Sequence, residues 1–245
     1  MSTKYGIVVV SMASAADRRA LIAANLAERP GETWSFFDAL SADDEVAGLE
    51  VSADRQTARF GRPLGRAEIG CFRSHYRIMD DFSRAGTSPW LLVLEDDVWL
   101  DPKFDIDEVV AFADAHARPY VRLFAKMYKP ARIIGMLSGF RQVLRFSTDP
   151  YGTQAYLVSR EGAKAFVDSV SAIDRPIDDE LGRFWRHGLD PVCVFPFPVV
   201  ERALSSSVEG DRASGGLVRA RLRPDLVAHR LAEKARKLWC NARRR

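Results

Sequence analysis

Residues 95–97 are three carboxylates in a row, Glu95, Asp96 and Asp97, set between the apolar runs 91–94 and 98–100. A charge withdrawn from water is costly unless something offsets it. Such a triplet therefore lies in solvent or gathers around a cation. In an extended strand side chains alternate, so Glu95 and Asp97 are expected on one face and Asp96 on the other. Two carboxylates on one face at a strand end make a hard oxygen site suited to Mg2+ or Mn2+. Such ions keep room for substrate phosphates, and the chemistry served is neutralisation of a nucleotide diphosphate as it leaves. Taken alone, the triplet also reads as a solvated acidic turn.

Other side chains invite the same question. Helical spacing aligns Glu68, Cys71, Phe72 and His75, and the stripe continues through Ile78, Met79 and Phe82. A Glu and a His on a face that turns apolar must be paired or meet a ligand. The plain alternative is a core histidine bonded to Glu68. Cys71 reads as an inert thiol rather than a nucleophile. Asp178, Asp179 and Glu180 open a short helix. They suit a general base, and equally the capping and dipole roles of acids at a helix start. Gly152, Thr153 and Gln154 precede a strand and allow close backbone approach to a sugar, or simply make a tight turn. Arg18 and Arg19 sit on the first helix, where one is placed to reach a phosphate oxygen and the other to lie in solvent.

These residues need a scaffold. "YGIVVVSM" is a continuous apolar, β-branched run, as in a buried parallel strand. A helix capped near Ser14 and stopped at Pro30 and Gly31 follows, then the strand "TWSFFDAL". Residues 41–65 read mostly as loop. "RAEIGCFRSHYRIMDDFSRAG" is a helix closed by Gly86, and "PWLLVLEDDVWL" one strand. The rest alternates strand candidates ("YVRLFAKMY", "ARIIGML", "RQVLRFS", "GTQAYLVS", "DPVCVFPFPVV") with helices ("DIDEVVAFADAHA", "REGAKAFVDSV", "DDELGRFWRHG"). "SSSVEGDRASGG" reads as a mobile loop. This order predicts an α/β domain with a mainly parallel sheet flanked by helices. Ligands of such sheets bind at the carboxyl ends of strands, where the acidic triplet falls.

The chain has 245 residues, 47% apolar and 28% charged, enough for a sizeable core in an ordinary globular protein. Its three cysteines are widely spaced, which argues against a disulfide framework and for a reducing compartment. The first residues lack a secretory h-region, and no stretch approaches the length needed to cross a bilayer. A cytoplasmic location is expected. Charge is uneven: in residues 218–245 ten basic side chains against two acids give +8, leaving the rest at −5 within the total of +3. Val227, Leu231, Leu238 and Trp239 fall on or near one face of this tail. That is the pattern of a helix lying on anionic lipid, or of a tail docked on the body with solvated charges. Nucleic-acid binding is disfavoured, since interleaved aromatics are missing.

Four blocks, "EIGCFRSHYRIMDDF", "LLVLEDDVWL", "GTQAYLVSREGAKAF" and "PIDDEL", occur in that order. Together with "VVVSMASAADRRALI" and "WSFFDALSADD", they resemble glycosyltransferase family 25, the lipopolysaccharide-type galactosyltransferase family, over roughly the first 205 residues. Ser11 stands where the family usually carries Asn, and Gln154 and Glu201 also depart from its pattern. The resemblance implies a GT-A-like fold, a nucleotide-sugar donor and an inverting transfer. It makes Asp97 the first metal ligand for Mn2+ (or Mg2+), with Glu95 assisting the metal or bonding the ribose. Asp96 would hold the loop or touch the sugar. Ser11, Arg18, Arg19, Glu68, Ser74, His75, Gly152, Thr153 and Gln154 become donor-binding candidates. The "PID" pattern puts Asp178 first as base, with Asp179 behind it.

The combined expectation is a single glycosyltransferase domain over residues 1–217 and a basic amphipathic tail over 218–245. It would move a hexose, galactose first, from a UDP-sugar to a hydroxyl of a cell-surface glycan such as lipopolysaccharide or exopolysaccharide. The acceptor would be lipid-linked, with peripheral contact at the inner membrane face. The rivals are an inactive glycan- or partner-binding relative, a nucleotidyltransferase using the same metal site, and a basic-tailed adaptor.

Overall fold

The computed structural model describes residues 4–202 and 224–243. The chain runs β1 (Tyr5–Ser11), α1 (Ala16–Ala27), β2 (Trp34–Asp38), β3 (Glu50–Val51), α2 (Ala53–Arg59), α3 (Arg66–Ala85), β4 (Trp90–Glu95) and β5 (Val98–Leu100). Next come α4 (Ile106–Ala115), β6 (Tyr120–Arg122), β7 (Ala131–Met136), β8 (Gln142–Phe146), β9 (Ala155–Ser159), α5 (Arg160–Ser169) and β10 (Ala172–Ile173). The last described elements are α6 (Ile177–Leu181), α7 (Phe184–His187), β11 (Val192–Phe195), β12 (Val199–Glu201) and α8 (Pro224–Arg243).

Eight strands form one sheet in the order β2-β1-β4-β9-β6-β11-β8-β7. Six run in one direction and β9 and β8 run against them, so the sheet is mixed but mainly parallel. The alternation of β1 and β4 builds the two layers around it. Ile7, Val9, Leu92 and Leu94 pack with Ile22 and Leu26 of α1 and Val109 and Val110 of α4. Val10 and Val93 turn the other way, onto Phe72 and Met79 of α3 and Phe166 of α5. Strands buried on both faces explain why these segments read as unbroken apolar runs.

Several local expectations need correction. Residues 41–65 are mostly loop, as expected, but they also hold the unexpected β3 and α2, with Ser52 accepting the Arg55 N–H as a cap. Among α2 residues only Gln56 is buried, so the helix shows no apolar stripe. The segment 89–100 is two strands, β4 in the main sheet and β5 paired with β12, with a turn at Asp96 and Asp97 between them. The strand expected from "YVRLFAKMY" is only the three residues of β6. The helix expected from "DDELGRFWRHG" is broken into α6 and α7. Ser14 does not cap α1, whose first residue is preceded by Ala15 with no side-chain cap.

The tail forms α8 and docks on the body. Arg183 donates to Glu233 at 2.6 and 2.8 Å, Arg230 to the Phe60 carbonyl, and Asn241 to the Ser147 carbonyl. The stretch "SSSVEGDRASGG" and residues 218–223 lie outside the described residues. Among the described residues no helix is long and apolar enough to cross a membrane.

Candidate functional site

The acidic triplet sits where β1 and β4 end side by side, Val10 opposite Glu95. Alternation holds for the first two acids. Glu95 faces α3, where His75 Nε2 lies 3.7 Å from its Oε1, and accepts a 2.7 Å bond from the Thr153 hydroxyl. Asp96 faces α1: it accepts 2.6 Å from Ser11 Oγ and 2.9 Å from Arg18. The expectation that Asp97 repeats the Glu95 direction in an extended strand fails, because the chain turns at Asp96 and Asp97. Asp97 is buried, its Oδ1 has no hydrogen-bond partner, and its backbone carbonyl accepts the Arg202 N–H at 2.6 Å.

The electrostatics differ accordingly. Burial opposes the charge on Glu95, but His75, the Thr153 hydroxyl and Lys126 outweigh it and hold this carboxyl below the usual range. At Asp97 the charge of Arg18 favours the ionised form but is outweighed. Burial, then the charges of Glu95, Asp96 and Glu201, push its pKa up from 3.8 to about 7. Four acids crowd here and one buried oxygen is left without a donor. A divalent cation would supply the missing charge, so the residues fit a hard metal.

The helix α3 forms one wall. Ser11, Arg18, Ser41, Cys71, Ser74, His75, Glu95 and Asp96 line a cleft of about 290 Å³ there. Ser74 has a fold role as well: it accepts the Leu40 N–H and donates to the Gly70 carbonyl, both at 2.8 Å. His75 is fully buried and bonds Tyr156 through Nδ1 at 2.9 Å, not Glu68. Glu68 lies away from this cleft, gripped by Arg62 through two 2.8 Å bonds and capping α3 at the Gly65 N–H. Neither first-helix arginine lies loose in solvent. Arg18 holds Asp96; Arg19 bonds the Ser11 carbonyl at 3.0 Å, pairs with Asp38 and stacks over Phe36.

Opposite α3, the segment 149–154 is fixed from below. Arg122, fully buried, pairs with Asp149 at 2.8 Å and donates to the Gly152 carbonyl. Gly152 has φ of +96°, a backbone conformation that strains any L side chain and favours glycine. Thr153 thereby reaches Glu95, and Gln154 donates to Glu201 at 3.4 Å.

Asp178 and Asp179 line a second cleft of about 420 Å³ with Arg62, Glu68, Lys126 and Tyr151. Asp178 also accepts the Asp179 N–H at 2.9 Å within the first turn, while the residue that caps α6 is Pro176, with no side-chain cap bond. Glu180 turns inward instead, buried between Arg175, Arg183 and Arg186. Lys126 joins the two clefts, since it lines this one and bears electrostatically on Glu95. Sequence reasoning missed Lys126, Arg62, Tyr151 and the position of Glu201. Only Glu201 left a signal: like Glu95, it ends an apolar strand.

The arrangement defines an α/β protein with a cleft at the carboxyl ends of the parallel strands β1 and β4, where such folds bind ligands. Residues 4–181 match the family described as "Glycosyltransferase family 25 (LPS biosynthesis protein)", and the chain belongs to it. It is similar to "Lacto-N-neotetraose biosynthesis glycosyltransferase LgtE" of Neisseria meningitidis serogroup B, 29% identical over 67% of this chain and 60% of that protein. It is equally similar, at 29%, to "Lacto-N-neotetraose biosynthesis glycosyltransferase LgtB" of Neisseria gonorrhoeae, over 67% of this chain and 61% of that protein. The matches thus span about three-fifths of these relatives. A further relative is "Probable inactive glycosyltransferase 25 family member 3" of Bos taurus, 26% identical over 66% of this chain and 28% of that protein.

Proposed function

We propose that the chain is an inverting glycosyltransferase that moves a hexose, with galactose first, from a UDP-sugar to a hydroxyl of a cell-surface glycan. The observation that carries this is Asp97, a buried acid with an unpartnered oxygen among three further acids at a strand end. Asp97 and Glu95 would hold Mn2+ or Mg2+, with Glu201 and Asp96 completing the acidic surroundings. When bound, such an ion neutralises the diphosphate of the leaving UDP. The chain's own residues do the rest. Ser11 and Arg18 fix Asp96, and the Arg122 anchor fixes Thr153 against Glu95. Asp178, in the adjoining cleft, takes the proton of the acceptor hydroxyl. That oxygen attacks the anomeric carbon as the bond from carbon to the diphosphate oxygen breaks, and UDP leaves with the electron pair.

Relatives named as inactive favour a second reading, a glycan- or partner-binding protein that performs no transfer. One experiment separates the two. UDP-, GDP- and CMP-sugars are screened by thermal shift with and without Mn2+, and the best donor is then assayed for transfer and hydrolysis. A ligand that binds only the folded state raises its apparent stability. A UDP-sugar should shift melting only with the metal, and folded Asp97→Ala should lose both shift and turnover. Full transfer by Asp97→Ala would overturn the site; a donor shift without any turnover would favour the binding protein.

The glycan acceptor would be lipid-linked and the chain peripheral at an anionic membrane on the cytoplasmic side. What supports this is α8. Its docked side carries Leu226 and Glu233, while Val227, Leu231, Leu238 and Trp239 lie exposed on other sides of the helix.

A further inference from the structure

Cys71 and His75 stand one turn apart on α3, and both face the end of β4. A sulfur of Cys71, a ring nitrogen of His75 and a carboxylate oxygen of Glu95 lie within 4.8 Å of one another. A tetrahedral zinc site with metal–ligand bonds of about 2.0–2.3 Å sets its ligand atoms roughly 3.3–3.8 Å apart. The 3.7 Å between His75 Nε2 and Glu95 Oε1 already matches. The distances to the Cys71 sulfur, at no more than 4.8 Å, exceed that range by about 1 Å at most.

A second observation points the same way. His75 is fully buried, yet its Nε2 has no hydrogen-bond partner. Its other nitrogen, Nδ1, is engaged by the Tyr156 hydroxyl at 2.9 Å. With the ring proton on Nδ1, the hydroxyl oxygen accepts it and the Nε2 lone pair is left for a metal. One ring nitrogen anchored by an outer partner and the other aimed at a cluster is how ligating histidines are held. The donor set also differs from the one proposed for the sugar donor. Thiolate with imidazole selects zinc and similar soft cations, whereas the Asp97 cluster is all oxygen. Three protein ligands leave a fourth position open to the cleft.

We propose that Cys71, His75 and Glu95 form a binding site for a thiophilic divalent cation, with zinc as its probe. We further propose that its occupancy draws Glu95 away from the donor. The first statement stands on these three side chains alone. The second rests on the donor site proposed above.

Cobalt reports on such a site directly. The full chain, stripped with chelator, is titrated with Co2+. A cobalt–thiolate charge-transfer band and intense tetrahedral visible bands should appear in the wild type and in Cys240→Ser, vanish in Cys71→Ser, and be displaced by Zn2+. Glu95→Gln should weaken cobalt binding at least about tenfold. The unmutated chain gives an independent readout: zinc should slow alkylation of Cys71, followed by peptide mass, while leaving Cys240 unchanged. A wild type without a thiolate band, a band that persists in folded Cys71→Ser, or alkylation of Cys71 indifferent to zinc would each overturn the site. Zinc should also reduce the melting shift given by UDP-sugar with Mn2+. If the donor gives no shift at all, the inhibitory statement falls with the donor reading, and the cobalt band still decides the metal site. If the donor shift survives saturating zinc, the inhibitory statement alone is wrong.

Discussion

Ser11 Oγ donates a 2.6 Å hydrogen bond to Asp96 Oδ2, joining the end of β1 to the acidic turn after β4. Both groups are buried, and Arg18 supplies the other charge-assisted bond to the same carboxylate. Replacing Ser11 with Ala leaves one oxygen of a buried carboxylate without its donor. A hydrogen bond to a charged group is worth about 2 kcal/mol. Ser11→Ala should therefore lower Tm by roughly 4–8 °C in calorimetry. An unchanged Tm would show that the turn is held without this bond.

The raised pKa of Asp97 carries a sign. Its ordinary value is 3.8 and its folded value about 7, so between these the native state keeps a proton that the unfolded chain has released. Stability therefore falls as pH rises from about 4 to about 7, and the penalty is complete above that range. In chelator, Asp97→Asn should match the wild type near pH 4 and melt higher at pH 8. Urea midpoints across this range check it, and parallel profiles for both proteins would refute the shift. The proposed function makes the same substitution costly: with Mn2+ and donor added, Asp97→Asn should gain less stability than the wild type.

How much of this was readable beforehand follows from burial. The strands β1 and β4 and helix α3 announce themselves, because a doubly covered strand needs a continuous apolar run and α3 an apolar stripe. The acid triplet stood out as a candidate site because charges end such a run. Its internal geometry was not legible, since two aspartates suit a turn as well as an acidic strand end, and the apolar residues 98–100 beyond them suggested one continuous strand. Helix α2 escaped notice for the opposite reason, with polar Gln56 as its buried residue. Lys126, Arg62 and Glu201 reach the clefts through tertiary contacts that no local spacing encodes. The fate of Glu180 was equally hidden: its three arginine partners come from α7 and the segments flanking α6.

Neighbouring acids of α6 should therefore answer differently to mutation. Glu180 neutralises a cluster of three arginines, and breaking such a buried arrangement costs roughly 3–5 kcal/mol. Glu180→Ala should unfold at markedly lower urea. Asp178 is half-buried at the cleft, and Asp178→Asn keeps its size and its acceptor for the Asp179 N–H. That variant should hold its urea midpoint while the transfer rate drops roughly a hundredfold or more, the loss expected for a missing general base. Full activity in Asp178→Asn would move the base role to Asp179.

The tail helix gives the last test. Glu233 ties α8 to the body through Arg183, so the helix stays docked while Leu231, Leu238 and Trp239 remain 62%, 59% and 56% exposed. Lys234 and Arg236 lie between these apolar side chains in sequence, which suits anionic headgroups above an acyl boundary. The full chain should sediment with vesicles containing anionic phospholipid and remain in the supernatant with neutral ones. Raising salt should weaken the interaction, because the headgroup attraction is screened. Leu231→Glu with Trp239→Glu removes the apolar contact without touching Arg183 or Glu233. The double variant should lose vesicle binding while keeping its Tm and its turnover on a short water-soluble acceptor. Equal sedimentation with neutral vesicles, or undiminished binding by the double variant, would assign this face to something other than a charged membrane.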